Sequence, residues 1–553
     1  MSEQWQVGRR AVLGWGGAGA LALGLSACST PDSATSTQAS TVPTSELPQR
    51  LLDGELVVAM DPRKIDSPYD PIQNWAFTGV NLFHSALLVI DDDNQIVNDL
   101  ATEYTVSEDN LAWTFTLRDD AVFSSGAPVL ASDVAFTWNQ SKEAGKRNLP
   151  NFDRAEALDD HTVVLHLSEP SSVMSYYAAM VGIVPEAGYS PEDQAEHPVG
   201  SGPFVLVDHV QGQQLIIERN DTYYGEPAKF AKVTILMMGS DAALAAAQSG
   251  EVDVATVAEN VSDLDVEKFT LASLETNGYR ILSLPTVPSG SYEAEGEAPG
   301  NDVTAHPEIR KAMALGINRE QVFAEALYGY GTVAFDPHDV HPWGIADKIQ
   351  GEVTDGDVEA ATALLDEAGW EAGEDGVRVK DGQRAAFELL YPPTDSSRQA
   401  IAESFKAQMV GLGIEVSLKG LSLDDQRALI RTTPSVLGGG DQSPYRIFDM
   451  LSTTKRASEG FSNAACYSNP TVDEYLEAAL SATDQDEAYE NWRSALWDGS
   501  QGGSILGDVP YLMFGYIRHN YFVRDGLSLG KQRVHAHDHN AYVLVNLSRW
   551  DIA

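Results

Sequence analysis

Apolar positions along the chain fall into short runs separated by turn-forming residues, and two periods alternate. Glu55-Leu-Val-Val-Ala-Met60 reads as a buried strand beyond a Pro-rich stretch. Leu87 to Ile90 and Gln95 to Val97 flank Asp91-Asp-Asp-Asn94 and predict a hairpin with a solvated turn. Trp113 to Leu117 alternates with period two, and Thr162 to Leu167, Leu215 to Glu218 and Val233 to Leu236 are further strands. Helical spacing appears from Ser132, read as an N-cap, through Trp138. Asp241 to Gly250 is an Ala-rich helix ending at glycine, and residues 307–326 and 357–368 are further helices, the latter with Gly369 at C′. Ile401 to Leu412 leads through Gly413 into the strand Ile414 to Leu418. Helix and strand are mixed throughout, so the class is α/β or α+β, and no short internal repeat is present.

The N-terminus reads as an address. Arg9-Arg10 precedes a weakly apolar stretch to Ala27, shorter than the roughly 20 residues a permanent span needs, so a signal peptide is expected. The general and twin-arginine export routes both remain open. Leu25-Ser26-Ala27-Cys28 resembles the lipobox of bacterial lipoproteins, in which the cysteine is lipidated and becomes the first mature residue. Ser29 to Pro48 holds 13 Ser, Thr or Pro residues in 20, a composition that cannot bury enough apolar area to fold. It predicts a flexible tether, with the folded part beginning near Gly54. Cys466 is then left alone, and a buried, inert thiol is expected.

Composition narrows the class. The chain has 553 residues, long enough for two or more lobes. With 36 Lys+Arg against 81 Asp+Glu the formal charge is −45, which excludes a nucleic-acid partner, since phosphates need cations. Two cysteines exclude a disulfide scaffold.

Catalytic motifs fail on context. Gly14-x-Gly16-x-x-Gly19 lies in the signal peptide without a preceding strand, and Gly526-x-x-x-Gly530-Lys531 is one residue short of a phosphate loop and carries Gln532 where a hydroxyl is needed. No G-x-S-x-G elbow or H-E-x-x-H helix occurs. The acidic turn at 91–94 lacks the glycine and final glutamate of a calcium loop. His535, His537 and His539 would share one face of a strand and could hold Ni, Zn or Cu, or could belong to a polar surface strand. His338 and His341, with Trp343, are a weaker second cluster.

Several segments, in order, resemble the extracellular solute-binding proteins, family 5, of ABC importers, the peptide- and nickel-binding type. These are Asn98 to Tyr104, Thr114 to Arg118 with Val122-Phe123, and Gly126 to Val134. They continue with Pro198-Val-Gly-Ser-Gly-Pro-Phe204, Glu218 to Tyr224 and Gly250-Glu-Val-Asp253. The last are Ile309 to Ala312 with Ile317 to Glu320, Ala361 to Trp370, and Tyr467-Ser-Asn-Pro470 with Asp473. Asp99 departs from a usual Pro, Tyr104 from a common Trp, and Ser124-Ser125 from His-Asp.

The resemblance implies an α/β, two-lobed periplasmic-binding-protein-like fold with a hinge and an extra domain inserted in the first lobe. Mapped on the chain, residues 1–28 are the signal peptide and 29–53 the tether. Residues 54–80, 198–280 and 510–553 form lobe I, 81–197 the extra domain, and 281–509 lobe II. It implies capture, without turnover or cofactor, of a peptide between the lobes and delivery to ABC permease subunits. The receptor would be a monomer outside the cytoplasm, held at the membrane by lipid on Cys28. Asp441, after Gly438-Gly-Gly, stands where peptide-binding members place the carboxylate that meets the ammonium, although Gln442 follows where aromatic neighbours are usual. Asn74, Trp75, Trp343, Tyr391 and Tyr445 are candidate walls of the cleft, and Arg398 and Arg446 candidate partners of a ligand carboxylate. A nickel-chelate or other small-solute binder of the same family is the alternative, and a secreted hydrolase a more distant one.

Overall fold

The computed structural model describes residues 46–65, 68–73, 82–291, 299–440, 442–456, 460–535 and 542–553. Cys28, Asn74, Trp75, Asp441, His537 and His539 lie outside this set. Among the described residues the framework is an eleven-stranded mixed sheet. Its order runs Glu415–Gly420, Ala386–Tyr391, Ser435–Gly439, Phe269–Ser283, Tyr511–Arg524, Val254–Val257, Glu55–Met60, Lys232–Met237, Gln214–Arg219, Phe204–Val210. The short strand Gly331–Val333 pairs with Tyr511–Arg524 off this path. Each half carries a parallel core. Glu55–Met60 runs parallel to both of its neighbours, as does Ala386–Tyr391 to its own.

Two long antiparallel strands join the halves. Residues 269–275 of one oppose 518–524 of the other beside the first parallel group. Residues 279–283 oppose 511–516 beside the second. Tyr511–Arg524 is buried along nearly its whole length, as expected of a strand covered on both faces. Gly515 is required there. A Cβ would lie 2.2 Å from the Thr332 carbonyl oxygen, so only glycine admits the edge strand Gly331–Val333. Between the two groups the register breaks at residues 276–278. Thr276 Oγ1 donates to the Ile517 carbonyl at 2.7 Å and accepts from Gly278 N at 3.0 Å. His535 backs the break, accepting from Asn277 N at 2.8 Å and donating to the Glu275 carbonyl at 3.1 Å.

A separate four-stranded antiparallel sheet, Ala101–Val106, Ala112–Leu117, Thr162–Leu167 and Phe152–Ala157, is covered by the helix Ala131–Ala144. Trp138 of that helix is fully buried against Phe152, with ring centroids 5.1 Å apart. This unit is tied to the eleven-stranded sheet by Asp99, which accepts from Tyr224 Oη at 2.5 Å. The Arg118 guanidinium lies 3.9 Å over the same tyrosine ring.

Strands and glycine stops follow the sequence reading closely, and the helix ends depart from it. The helix expected over 307–326 is two, Pro307–Gly316 and Arg319–Ala326, because Ile317 is extended and Asn318 caps the second through its side chain. The helix before Gly413 starts at Ser396, capped by the Asp395 carboxylate. Ser132 sits inside its helix, which begins at Ala131, and Asp133 supplies the side-chain bond back to Leu130 N at 2.8 Å. The acidic turn at 91–94 is not simply solvated: Asp93 pairs with Lys531 and Asp92 with Arg549. Residues 47–53, read as the end of the tether, are packed. Gln49–Leu52 is a helical turn, Leu47 and Leu51 are buried, and Arg50 pairs with Asp253.

Asp253, the acid of the Gly-Glu-x-Asp segment, is fully buried and gathers four donors. Arg50 contacts both carboxylate oxygens, Arg524 Nε donates at 2.8 Å and Val57 N at 2.9 Å. It thus ties the first helical turn, the first strand and the last long strand. Asp253→Ala leaves two guanidinium groups without their common anion and is expected to cost about 3–5 kcal/mol, read as a lowered urea midpoint; an unchanged midpoint would refute this role.

Burial pushes the Asp99 carboxyl up to about 6, against hydrogen bonds from Tyr224 and Ala86. A carboxyl raised above its unfolded value near 3.8 contributes stability at low pH that is lost as pH rises through about 4 to 6. Asp99→Asn removes that loss. Its melting temperature, compared with the parent, should become relatively higher from pH 4 to pH 7, by the equivalent of about 2 kcal/mol. A constant offset across that range would show that Asp99 does not titrate there.

Candidate functional site

In open α/β sheets, ligand sites form beyond the carboxyl ends of parallel strands. In the second half of the sheet those ends are Tyr391 and Gly439. The crossing strand runs the other way, so its residues Tyr279 and Arg280 stand at the same edge, in register with Gly439 and Gly438. The loop after Tyr391 leads to Asp395 and the helix carrying Arg398. The loop after Gly439 leads through position 441 to the helix Tyr445–Leu451.

Three guanidinium groups converge here. A Cβ on Gly438 would lie 2.6 Å from Arg398 Nη2 and 2.7 Å from Arg280 Nη1, so the bare glycine backbone is the surface on which both arginines rest. A Cβ on Gly439 would lie 2.5 Å from Tyr279 Oη. Asp395 pairs with Arg398 at 3.2 Å. Burial opposes its charge, but Arg280 and Arg398 hold its carboxyl below the ordinary carboxylate range. Arg446 Nε donates to Tyr279 Oη at 3.1 Å and its Nη1 pairs with Asp449. The edge therefore offers fixed charges of both signs in a desolvated setting, which suits a ligand carrying an ammonium and a carboxylate.

The sequence candidates divide between two places. Arg398 and Arg446 stand in this network. Tyr445 and Trp343 lie where the four-stranded unit meets the second half. Tyr445 Oη accepts from Asn148 at 2.8 Å, and its ring is stacked on Phe448 and edge-on to Tyr177. Trp343 is buried edge-on to Tyr176, whose hydroxyl is 2.9 Å from that of Tyr489. Its other face is stacked on His341 at 4.4 Å. Tyr391 ends its strand with its hydroxyl 3.3 Å from where a Cβ on Gly420 would lie.

Of the C-terminal histidines only His535 is among the described residues, and it is not on a surface strand. His535 is fully buried, its Nδ1 3.0 Å from His519 Nδ1. His341 Nε2 lies 3.2 Å from Asn277 Nδ2, and burial lowers His341 to about 4, so it stays neutral. Among the described residues no group of three or more His, Cys, Asp or Glu is disposed to hold a metal ion. Cys466 is a buried thiol whose Sγ donates to the Arg431 carbonyl at 3.6 Å.

Sequence reading missed Tyr279, Arg280 and Asp395. Gly438-Gly439-Gly440 was the available signal, since consecutive glycines at a strand end announce close approach of other atoms. Which atoms approach depends on pairings more than 150 residues apart in the chain. Gly438→Ala should displace both guanidinium groups, lower stability by about 1–3 kcal/mol and weaken ligand uptake; parental thermal melting would show that the cradle is not tight.

Comparison with known proteins agrees with this architecture. Residues 95–459, well over half of the chain, match the profile of bacterial extracellular solute-binding proteins, family 5, middle. The chain is 29% identical over 476 residues to Protein XP55 of Streptomyces lividans, covering 82% of each chain. It is 26% identical over 462 residues to the probable D,D-dipeptide-binding periplasmic protein DdpA of Escherichia coli, covering 79% of this chain and 84% of that one. Among solved structures, NikZ from Campylobacter jejuni in complex with Ni(L-His) shares the fold, with a TM-score of 0.74 at 19% identity over 91% of this chain and 100% of that one. The two-lobed α/β fold and the family profile together place the chain among the bacterial extracellular solute-binding proteins of family 5, the binding components of ABC importers.

Proposed function

We propose that this protein captures peptides in the space between its lobes and hands them to the permease of an ABC importer. The observation that carries this reading is the carboxyl edge of the second half. There Arg280, Arg398 and Arg446 alternate with Asp395 and Asp449 around a glycine backbone. A zwitterion entering a dry cleft needs a partner for each end, because an unpaired charge there costs several kcal/mol. Similarity to a probable dipeptide-binding protein supports the same class of ligand.

In this reading Asp441 meets the ammonium, Arg398 and Arg446 the carboxylate side, and Asn74 and Trp75 line the wall from the first lobe. Lobe I comprises 54–80, 198–280 and 510–553, with the packed turn at 49–52 added to it. Residues 81–197 are the extra domain and 281–509 lobe II. The crossing strands act as the hinge, and ligand favours the closed arrangement because it contacts both lobes only there. Cys28 carries the lipid that holds the monomeric receptor at the outer face of the membrane. Acyl chains contribute about 0.8 kcal/mol per buried CH₂ and need no help from a strongly acidic body.

The test is calorimetric titration of free-amine and N-acetylated dipeptides. Asp441→Ala should weaken the free-amine peptide by at least tenfold, about 1.4 kcal/mol, and leave the acetylated one nearly unchanged. Equal weakening of both, or none, would remove Asp441 from the site.

A further inference from the structure

Gln442 follows the glycine strand and is buried, 7% exposed. Its Nε2 lies 3.4 Å from the Val534 carbonyl, on the segment whose next residue, His535, backs the register break of the crossing strands. A carbonyl can only accept, so this contact fixes the orientation of the amide: nitrogen toward Val534, oxygen away from it. That oxygen, Oε1, is buried and meets no donor among the described residues. The backbone on its C-terminal side is held, because Ser443 Oγ accepts from Tyr445 N at 3.2 Å at the start of the next helix. The Gln442 side chain therefore cannot turn away without giving up its contact with Val534. A buried acceptor without a donor is costly and rare in folded proteins, and in a cleft protein the natural source of the missing donor is the ligand.

We propose that Gln442 Oε1 accepts an amide N–H of the bound peptide, so that this residue selects peptide bonds over other small zwitterions. The inference rests on the peptide reading above and adds to it a residue outside the charged network. Because the residue also touches the segment behind the hinge, the same contact would link ligand recognition to the crossing strands.

The discriminating probe is a ligand pair that differs in one atom: alanyl-alanine and its ester analogue alanyl-lactate, each in the L,L and D,D forms. The parent protein should bind the amide about tenfold more tightly than the ester, because the ester places an oxygen against Oε1. Gln442→Leu should bind amide and ester alike, and Gln442→Glu, which keeps an acceptor, should retain the preference. An amide-to-ester ratio that is the same in the parent and in Gln442→Leu overturns the assignment.

The ligand-free proteins give an independent readout. If Oε1 lacks a donor, removing that costly acceptor offsets the loss of the long Val534 contact, and Gln442→Leu should melt at or near the parental temperature. A drop of several degrees would make Gln442 a structural tether and overturn the assignment without any ligand. If the parent binds neither dipeptide, the peptide reading itself fails, and melting at or near the parental temperature would still support a donor-less acceptor awaiting another ligand.

Discussion

The arrangement depends on one antiparallel pair, Phe269–Ser283 against Tyr511–Arg524, being shared by two parallel groups. Each group alone would end in an edge strand with unpaired backbone groups. Sharing the pair removes both edges and makes a single sheet of what would otherwise be two. The requirement concentrates at residues 276–278, where the ladder must change register while every buried polar backbone group still finds a partner. Thr276 Oγ1 and the backbone of His535 supply those partners. A break held by one hydroxyl and one additional strand-like residue is softer than the continuous ladders on either side. That softness is what a hinge between two stiff groups requires.

The charge of the chain takes a second meaning in this setting. With acids outnumbering bases more than two to one, cations are scarce, and the structure places many of its arginines inside. Arg50 and Arg524 serve Asp253, Arg319 serves Asp355, and Arg280 and Arg398 serve Asp395 at the site. Arginine suits these places because its planar fork satisfies several acceptors at once and remains charged when buried. Arg319 illustrates this, donating to Asp355 and to the carbonyls of Met513 and Ala314. The acidic turn at 91–94 follows the same logic at the surface, where Lys531 and Arg549 fasten it to the C-terminal segment.

Much of the local structure was legible because it is written in adjacent residues. Glu55–Met60 and Thr162–Leu167 have the ends that alternation and apolar runs assign to them. Gly250, Gly369 and Gly413 adopt the left-handed conformation that ends a helix. Errors arose where a distant residue decides the outcome. Residues 49–52 are polar enough to read as tether, yet Asp253, two hundred positions away, captures Arg50 and so orders the turn. The break at Ile317–Asn318 follows from a hydrogen bond given by Gly356 N to the Ile317 carbonyl. The candidate site was legible in its charges, Arg398 and Arg446, and in its glycines. It was illegible in Arg280 and Tyr279, whose role comes entirely from strand pairing with Gly438 and Gly439.

These two kinds of information bear differently on specificity. A net charge of −45 acts over the Debye length, about 8 Å at physiological salt, and biases which solutes approach. It cannot decide what stays, because residence depends on short-range pairing at the carboxyl edge of the second half, where three arginines stand against two aspartates. In the proposed reading, retention comes from that pairing, from the unsatisfied Gln442 oxygen and from the geometry of the glycine cradle. A preformed, internally compensated ion network costs little to reorganise when the lobes close, whereas one made of unpaired charges would oppose closure. The acidic surface and the balanced interior therefore do separate tasks, the first acting on encounter and the second on residence. On the proposal above, selectivity among zwitterions of similar charge then falls to neutral groups such as Gln442, next to the segment that backs the register break.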